Sequence, residues 1–328
     1  MPQEETPGGL HVPARVIPVP QHVSPEAQAM LATPWPENFS AYPALDDVEA
    51  WRRHVATADA VIMQMIGPTA AGVEASVRAF REGDALAYEI VPTGLSAADR
   101  RLYLDVHGGA LIMGAGEVCR TMSMGMAGLL GARTVSVDYR MPPDHPYPAG
   151  LDDCVAVYRA ALRDHRPEEI IIGGLSAGGN LAAALILRAR DEGLPLPAAA
   201  LLLSPEVDLT ESGDSFQTNK GIDVTLGNGL MPANLLYAAG HDLGDPYVSP
   251  LFGDFSEGFP PTLLTAGTRD LFLSNAVRMH RALRAAGVPA ELHIMEAAPH
   301  GAFAAWPEVA ELNREVRAFC DARWKAAG

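Results

Sequence analysis

The sequence predicts an α/β fold, a mostly parallel, doubly wound sheet with helices on both faces. From Glu74 onward, strand-like runs alternate with segments of helical period, which is the pattern of successive βαβ units. Several strand-like runs, such as Glu169–Gly174 and Ala198–Ser204, are apolar almost throughout, as strands covered on both faces must be. A third observation is compositional. The 328 residues are 48% hydrophobic and 20% charged, so the chain can bury a core without disulfides or metal staples.

Taken in order, residues 1–72 precede this rhythm. They are Pro-rich and helical or irregular, with a helix expected near Leu45–Met65, and we expect them to form an N-terminal cap segment. Strands are expected at Val77–Phe80 and Ala85–Val91, which flank the hairpin turn Glu82-Gly83-Asp84. The next strands are Arg101–Val106, Arg133–Tyr139, Glu169–Gly174 and Ala198–Ser204, interleaved with helices Glu117–Leu130, Leu151–Asp164 and Ala177–Glu192. Residues 205–247 interrupt the alternation with polar, Gly-containing sequence and a short helix near Pro232–Ala239. An insertion after a strand's C-terminal end sits where open α/β sheets bind ligands, so this segment is expected to complete the cap. Strands Thr262–Gly267 and Ala290–Glu296 follow, with helices Ser274–Ala286 and Glu308–Lys325. The catalytic core is then 73–204 with 248–328.

Charge and cysteine usage exclude several function classes. Lys and Arg number 24 against 40 Asp and Glu, a net charge of −16, and no basic run offers phosphates a partner. Nucleic acid and anionic membrane surfaces are therefore not expected partners. Cys119, Cys154 and Cys320 are scattered and odd in number, which suits free thiols in a reducing compartment. The N-terminus lacks a basic n-region and an apolar h-region, and no uninterrupted apolar run reaches membrane-spanning length. The expected location is the cytoplasm. No spacing of His, Cys, Asp or Glu suggests a metal site, and no cofactor is expected.

The chemistry-bearing signal is Gly174-Leu175-Ser176-Ala177-Gly178, placed between a predicted strand and a predicted helix. A serine on so tight a turn projects its Oγ from the sheet edge, while the helix N-terminus behind it offers N–H groups to a developing oxyanion. His107-Gly108-Gly109-Ala110 follows another strand. Its small residues let successive N–H groups point one way, so Gly108, Gly109 and Ala177 are the expected oxyanion hole. His107 itself is read as bracing its loop through a backbone hydrogen bond. Ser176 needs a base and the base needs a carboxylate. His300 and Asp270 both lie just past predicted strand ends, giving the chain order Ser176, Asp270, His300.

These motifs carry a resemblance. His107-Gly108-Gly109, Asp138-Tyr139-Arg140 with Pro142 through His145-Pro146-Tyr147-Pro148-Ala149, Gly174 to Asn180, Ser204-Pro205 with Asp208-Leu209, then Asp270 and His300-Gly301 are similar to the hormone-sensitive-lipase-like (bacterial family IV) carboxylesterases. The similarity covers roughly residues 75–325 and is nearest to small bacterial carboxylesterases and monoterpene ε-lactone hydrolases. It implies an eight-stranded α/β-hydrolase core with a helical cap and metal-free hydrolysis of short-to-medium acyl esters or lactones through an acyl-enzyme; a homodimer is a family-level expectation. An acyltransferase using the same intermediate and a non-catalytic receptor on the same fold are the alternatives. Three positions depart from the family: Ala110 for a third glycine, Leu175 for an aspartate, and Ala302 after His300-Gly301, with Phe303 beyond it. Ala110, Met113, Leu175, Leu209, Met231, Ala302 and Phe303 are the expected substrate-binding residues. Met122, Met124 and Met126 are expected to be core packing. With Pro34-Trp35-Pro36 in the cap, these residues favour a small neutral ester or lactone.

Overall fold

A computed structural model describes residues 9–10, 12–33, 41–301 and 306–326. Eight strands form one sheet: β1 (Ala75–Glu82), β2 (Ala85–Pro92), β3 (Leu102–Val106), β4 (Arg133–Asp138), β5 (Ile170–Leu175), β6 (Ala199–Leu203), β7 (Thr262–Gly267) and β8 (Ala290–Met295). Their order across the sheet is β1-β2-β4-β3-β5-β6-β7-β8. The β1–β2 hairpin pairs antiparallel, β2 meets β4 antiparallel, and every later pair is parallel. The parallel pairs need crossovers, and the helices supply them.

Among the described residues these helices are α1 (Pro25–Leu31), α2 (Val48–Ala70), α3 (Glu117–Leu130), α4 (Ala149–Asp164), α5 (Ala177–Asp191), α6 (Ser215–Thr218), α7 (Met231–Ala238), α8 (Leu273–Ala285) and α9 (Val309–Lys325). Residues of α4, α5 and α8 pack with sheet residues in one large core cluster, while Leu130 of α3 and Leu312, Val316 and Phe319 of α9 pack with Tyr103, Ile171 and Leu201 in another. Both sheet faces are thus covered, which explains why β5 and β6 read as nearly continuous apolar runs and why β3 and β7 are fully buried. Helix α5 is buried almost all round, consistent with its Ala- and Leu-rich sequence.

The two segments outside the βα rhythm pack against each other and against the loops at the sheet's C-terminal edge. Trp51 of α2 is fully buried with Ala110, Phe216, Leu230, Ala233 and Phe272. Helix α1 packs against Ala297, Ala298 and Val309, and its N-cap Ser24 donates from N and Oγ to the Glu308 carboxylate. Helix α2 runs on to Ala70, five residues past the end expected from sequence, because its last turn lies along α3. No helix of the described chain is long and apolar enough to cross a membrane.

Asp138 and Arg140 brace the loop edge in two directions. The Asp138 carboxylate accepts Gly116 N–H at 3.0 Å and the Tyr88 hydroxyl at 3.1 Å. Arg140 turns the other way, to the buried Asp153 carboxylate at 2.8 Å.

Candidate active site

Ser176 sits between β5 and α5 with φ 60° and ψ −122°, a strained conformation for a residue with a side chain. One contact and the chain path impose it. Ser176 N donates to Leu203 O of β6 at 2.8 Å, and the chain must then reverse at once into α5. The flanking glycines are required by packing. A Cβ on Gly174 would lie 2.3 Å, and one on Gly178 1.9 Å, from the Val106 carbonyl oxygen at the end of β3.

The structure brings Ser176, His300 and Asp270 together from three strand ends. His300 Nε2 lies 2.9 Å from Ser176 Oγ, and its Nδ1 lies 3.2 Å from Asp270 Oδ1. The donor at Nδ1 is a ring N–H assigned from this carboxylate partner, which leaves the Nε2 lone pair facing the serine hydroxyl. Asp270 is fully buried and His300 and Ser176 nearly so. Asp270 is held by Phe272 N–H at 2.7 Å, and the Phe272 ring packs edge-on against the imidazole at 4.7 Å. Burial alone lowers the His300 pKa, but the Asp270 charge and hydrogen bond, with Asp223 behind them, outweigh it and raise the value above the ordinary 6.5.

Gly108, Gly109 and Ser176 border one cavity, with Ala177 next in chain. Among the described residues the backbone N–H groups of Gly108, Gly109 and Ala177 have no acceptor, as an oxyanion hole requires before its anion forms. Tight turns hold this loop. Gly109 has φ 129°, Ala110 φ 52° and Leu111 φ 63°, and Met113 N donates back to Gly109 O at 2.9 Å. Ala110 therefore occupies left-handed backbone space that a glycine would take without strain. His107 braces from behind, as its sequence context suggests. Its Nδ1 donates to Gly108 O at 2.8 Å, its ring stacks on Tyr139 at 4.1 Å, and Tyr139 OH donates to His107 O.

Among the described residues one group of three potential metal ligands, His107, Cys119 and Asp138, has its donor atoms within 4.8 Å of one another. The Asp138 oxygens already accept Gly116 and Tyr88, and burial pushes the Cys119 thiol well above its ordinary pKa. The set is thus poorly prepared for a cation, since a thiol must ionise to bind one.

The cavity has a volume of about 450 Å³. Ala110, Met113 and Leu175 line it as expected; Met122, read as core packing, lines it too. Helix α2 supplies one wall through His54, Ala58, Val61, Ile62, Met65 and Ile66, the i, i+4, i+7 spacing of a single helix face. Two expected pocket residues are displaced. Leu209 is fully buried in the main core, where its N–H donates to Ser249 Oγ, because the chain turns inward directly after β6. Met231 opens α7 without lining the cavity, which the preceding Leu230 reaches instead. Ala302 and Phe303, like Pro34-Trp35-Pro36, lie outside the described residues.

Sequence reasoning missed two buried acids near the site, Asp223 and Glu206. Glu206 N donates to Ser176 O at 3.1 Å, and among the described residues neither of its carboxyl oxygens meets a hydrogen-bond partner. Burial, with Glu211 nearby, pushes its pKa up to about 8, so the folded protein holds a proton at pH 7 that the unfolded chain, near 4.5, releases. Burying this group therefore costs stability that grows as pH rises from 4.5 towards 8. Glu206→Gln should stabilise the protein by on the order of 3 kcal/mol at pH 7. The gain should vanish at pH 4, and urea midpoints that shift equally at both pH values would contradict this.

Comparison with known proteins agrees with this geometry. Residues 103–304 match the alpha/beta hydrolase fold family. The chain is 35% identical to an esterase of Acinetobacter venetianus over 58% of its own length and 64% of that protein, and 35% identical to an acetyl-hydrolase of Streptomyces hygroscopicus over 64% and 67%. The chain thus spans about two thirds of the length of these curated relatives. Among solved structures, esterase E25 superposes with a TM-score of 0.87 at 35% identity, covering 95% of this chain and 98% of that one. An esterase from the bacterial hormone-sensitive lipase family superposes with a TM-score of 0.76 at 28% identity, covering 92% and 99%. With the family match spanning more than half of the chain, and the elbow, eight-stranded sheet and motif order all in place, this protein belongs to the alpha/beta hydrolase fold family, in its hormone-sensitive-lipase-like group.

Proposed function

We propose that the protein is a serine carboxylic-ester hydrolase acting on small neutral esters or lactones. The observation that carries this reading is the hydrogen-bonded line Ser176 Oγ, His300 Nε2, His300 Nδ1, Asp270 at the floor of an apolar cavity. In this reading Ser176 Oγ attacks the carbonyl carbon as His300 Nε2 takes its proton, and the N–H groups of Gly108, Gly109 and Ala177 receive the oxyanion. Collapse of the tetrahedral intermediate expels the alcohol, which takes the proton from His300, and leaves an acyl-Ser176. Water, deprotonated by His300, then releases the acid. Asp270 fixes the tautomer and stabilises the imidazolium.

The apolar α2 wall and the methionines Met113 and Met122 support neutral acyl groups of short to medium length. We read residues 1–72 and 205–247 as one cap over this cavity. Buried free thiols at Cys119, Cys154 and Cys320 support a reducing, cytoplasmic setting.

The test is an initial-rate panel of p-nitrophenyl esters from C2 to C16 with ε-caprolactone, on wild type and Ser176→Ala, together with covalent labelling by an organophosphonate. Turnover peaking at short-to-medium chains, with both turnover and labelling lost in the variant, is expected; labelling that survives in Ser176→Ala would falsify the nucleophile assignment. The neutral imidazole is the working base, and its pKa is raised in the fold. The acid limb of kcat/KM should therefore lie above the ordinary 6.5. A pH profile flat down to pH 5 would exclude His300 as that base.

A further inference from the structure

We propose that Asp223, in the insertion between β6 and β7, is a positioning residue for His300: a second carboxylate that fixes the histidine loop through its backbone and supports the imidazolium. The inference rests on the hydrolase reading above. Asp223 is fully buried, and its carboxylate gathers backbone N–H groups from three separate segments. Oδ1 accepts Thr225 N–H at 2.9 Å and Leu226 N–H at 3.2 Å within its own turn. Oδ2 accepts Leu271 N–H, the residue after Asp270, at 2.9 Å. His300 N–H reaches both oxygens, at 3.3 and 3.4 Å. A single carboxylate thus ties the acid loop and the base loop to the same point.

The rest of the turn serves the same purpose. Asn219 Nδ2 donates to Thr268 O at 3.2 Å and to Asp270 O at 2.8 Å, and the backbone of residues 219–227 closes on itself through Asp223 N to Asn219 O and Gly227 N to Asp223 O. The opposite side of this turn, Val224 to Leu226, lines the substrate cavity. The cap insertion therefore shapes the pocket with one side and holds the base with the other.

The electrostatics follow from the placement. Four backbone N–H donors favour the ionised carboxylate, and so does the imidazolium formed when Ser176 is deprotonated. Burial first and the Asp270 charge second oppose this and raise the Asp223 pKa. The groups facing His300 are Ser176, Asp270, Asp223 and the Phe272 ring. Of these only the two carboxylates carry charge, and both raise the histidine pKa. A charge that favours the imidazolium stabilises the transition state, in which that cation forms, more than the ground state, in which it is absent.

The test compares Asp223→Asn and Asp223→Glu with wild type in the full chain, using p-nitrophenyl butyrate. Rates are expressed per serine titrated by organophosphonate, so that partial unfolding does not count as lost catalysis. Asp223→Asn should lower kcat about 10- to 100-fold with little change in KM, and move the acid limb down by about one pH unit. Asp223→Glu, which keeps the charge, should keep the acid limb near its wild-type position even where kcat falls. If Asp223→Asn leaves no titratable serine, the Glu variant decides, and an acid limb displaced downward there overturns the proposal. An Asn variant with wild-type kcat and limb, or with reduced kcat and an unmoved limb, also overturns it. Because wild type must turn over and Ser176→Ala must not, failure of the hydrolase reading is recognised separately.

Discussion

Ser176→Ala should lower kcat by about 10⁶-fold, and His300→Ala by a similar factor, while the double variant loses no more than either alone. The reason lies in the geometry. Ser176 Oγ has a base 2.9 Å away, and that base has its carboxylate 3.2 Å further on. A hydroxyl without the imidazole is a poor nucleophile, and an imidazole without the hydroxyl has no proton to take, so each residue works only through the other. Residual rate above that of water should come from the oxyanion donors and binding alone. Steady-state rates on p-nitrophenyl butyrate, with circular dichroism to establish folding, measure this. A double variant slower than the singles by the product of their effects would mean that the two residues act independently.

Gly109→Ala should remove at least about 10²–10³-fold from kcat with a smaller change in KM. A Cβ there would lie 2.0 Å from the Met113 carbonyl oxygen, and φ is 129°, where side-chain-bearing residues rarely sit. Neither neighbour can yield: Met113 N is hydrogen-bonded to Gly109 O, and Gly108 is packed against the Leu175 carbonyl. The loop must therefore shift, and the N–H groups of Gly108 and Gly109 shift with it. Ala110→Gly is the contrasting case. Position 110 is already in left-handed space at φ 52°, so glycine relieves strain there and should leave turnover within a few fold of wild type. The prediction fails if Gly109→Ala retains wild-type kcat, or if both variants lose activity alike.

The parts of the site that could be read in the sequence are those carried by short-range constraints. The elbow is one, because glycine spacing and a strand–helix junction are local. The order Ser176, Asp270, His300 is another, because each lies just past a strand-like run, apolar and buried before Ser176 and Asp270 and a half-buried edge strand before His300. What lay beyond reading came through tertiary contact. Asp223 sits in polar, turn-like sequence where an aspartate needs no further reason than the turn itself; its reach to Leu271 and His300 spans 48 and 77 residues. Leu209 stands beside a motif and Met231 in the cap insertion, which makes both pocket candidates, but Leu209 is buried in the main core and Leu230 rather than Met231 reaches the cavity. The hairpin shows the usual error at boundaries. Strand β1 extends from Ala75 to Glu82, beyond its apolar centre, because backbone pairing with β2 along its whole length does not require apolar side chains.

The Asp59 carboxylate of α2 accepts Gly114 N–H at 2.8 Å, and a Cβ on Gly114 would meet Gly108 O at 2.6 Å and the His107 ring at 2.7 Å. The helix that lines one side of the cavity is therefore fastened to the same loop that carries Gly108 and Gly109. Selectivity and turnover are not independent properties in such an arrangement. Exchanging the first seventy residues for those of a relative, in the hope of importing its acyl preference, would carry a rate penalty unless the Asp59 anchor were kept.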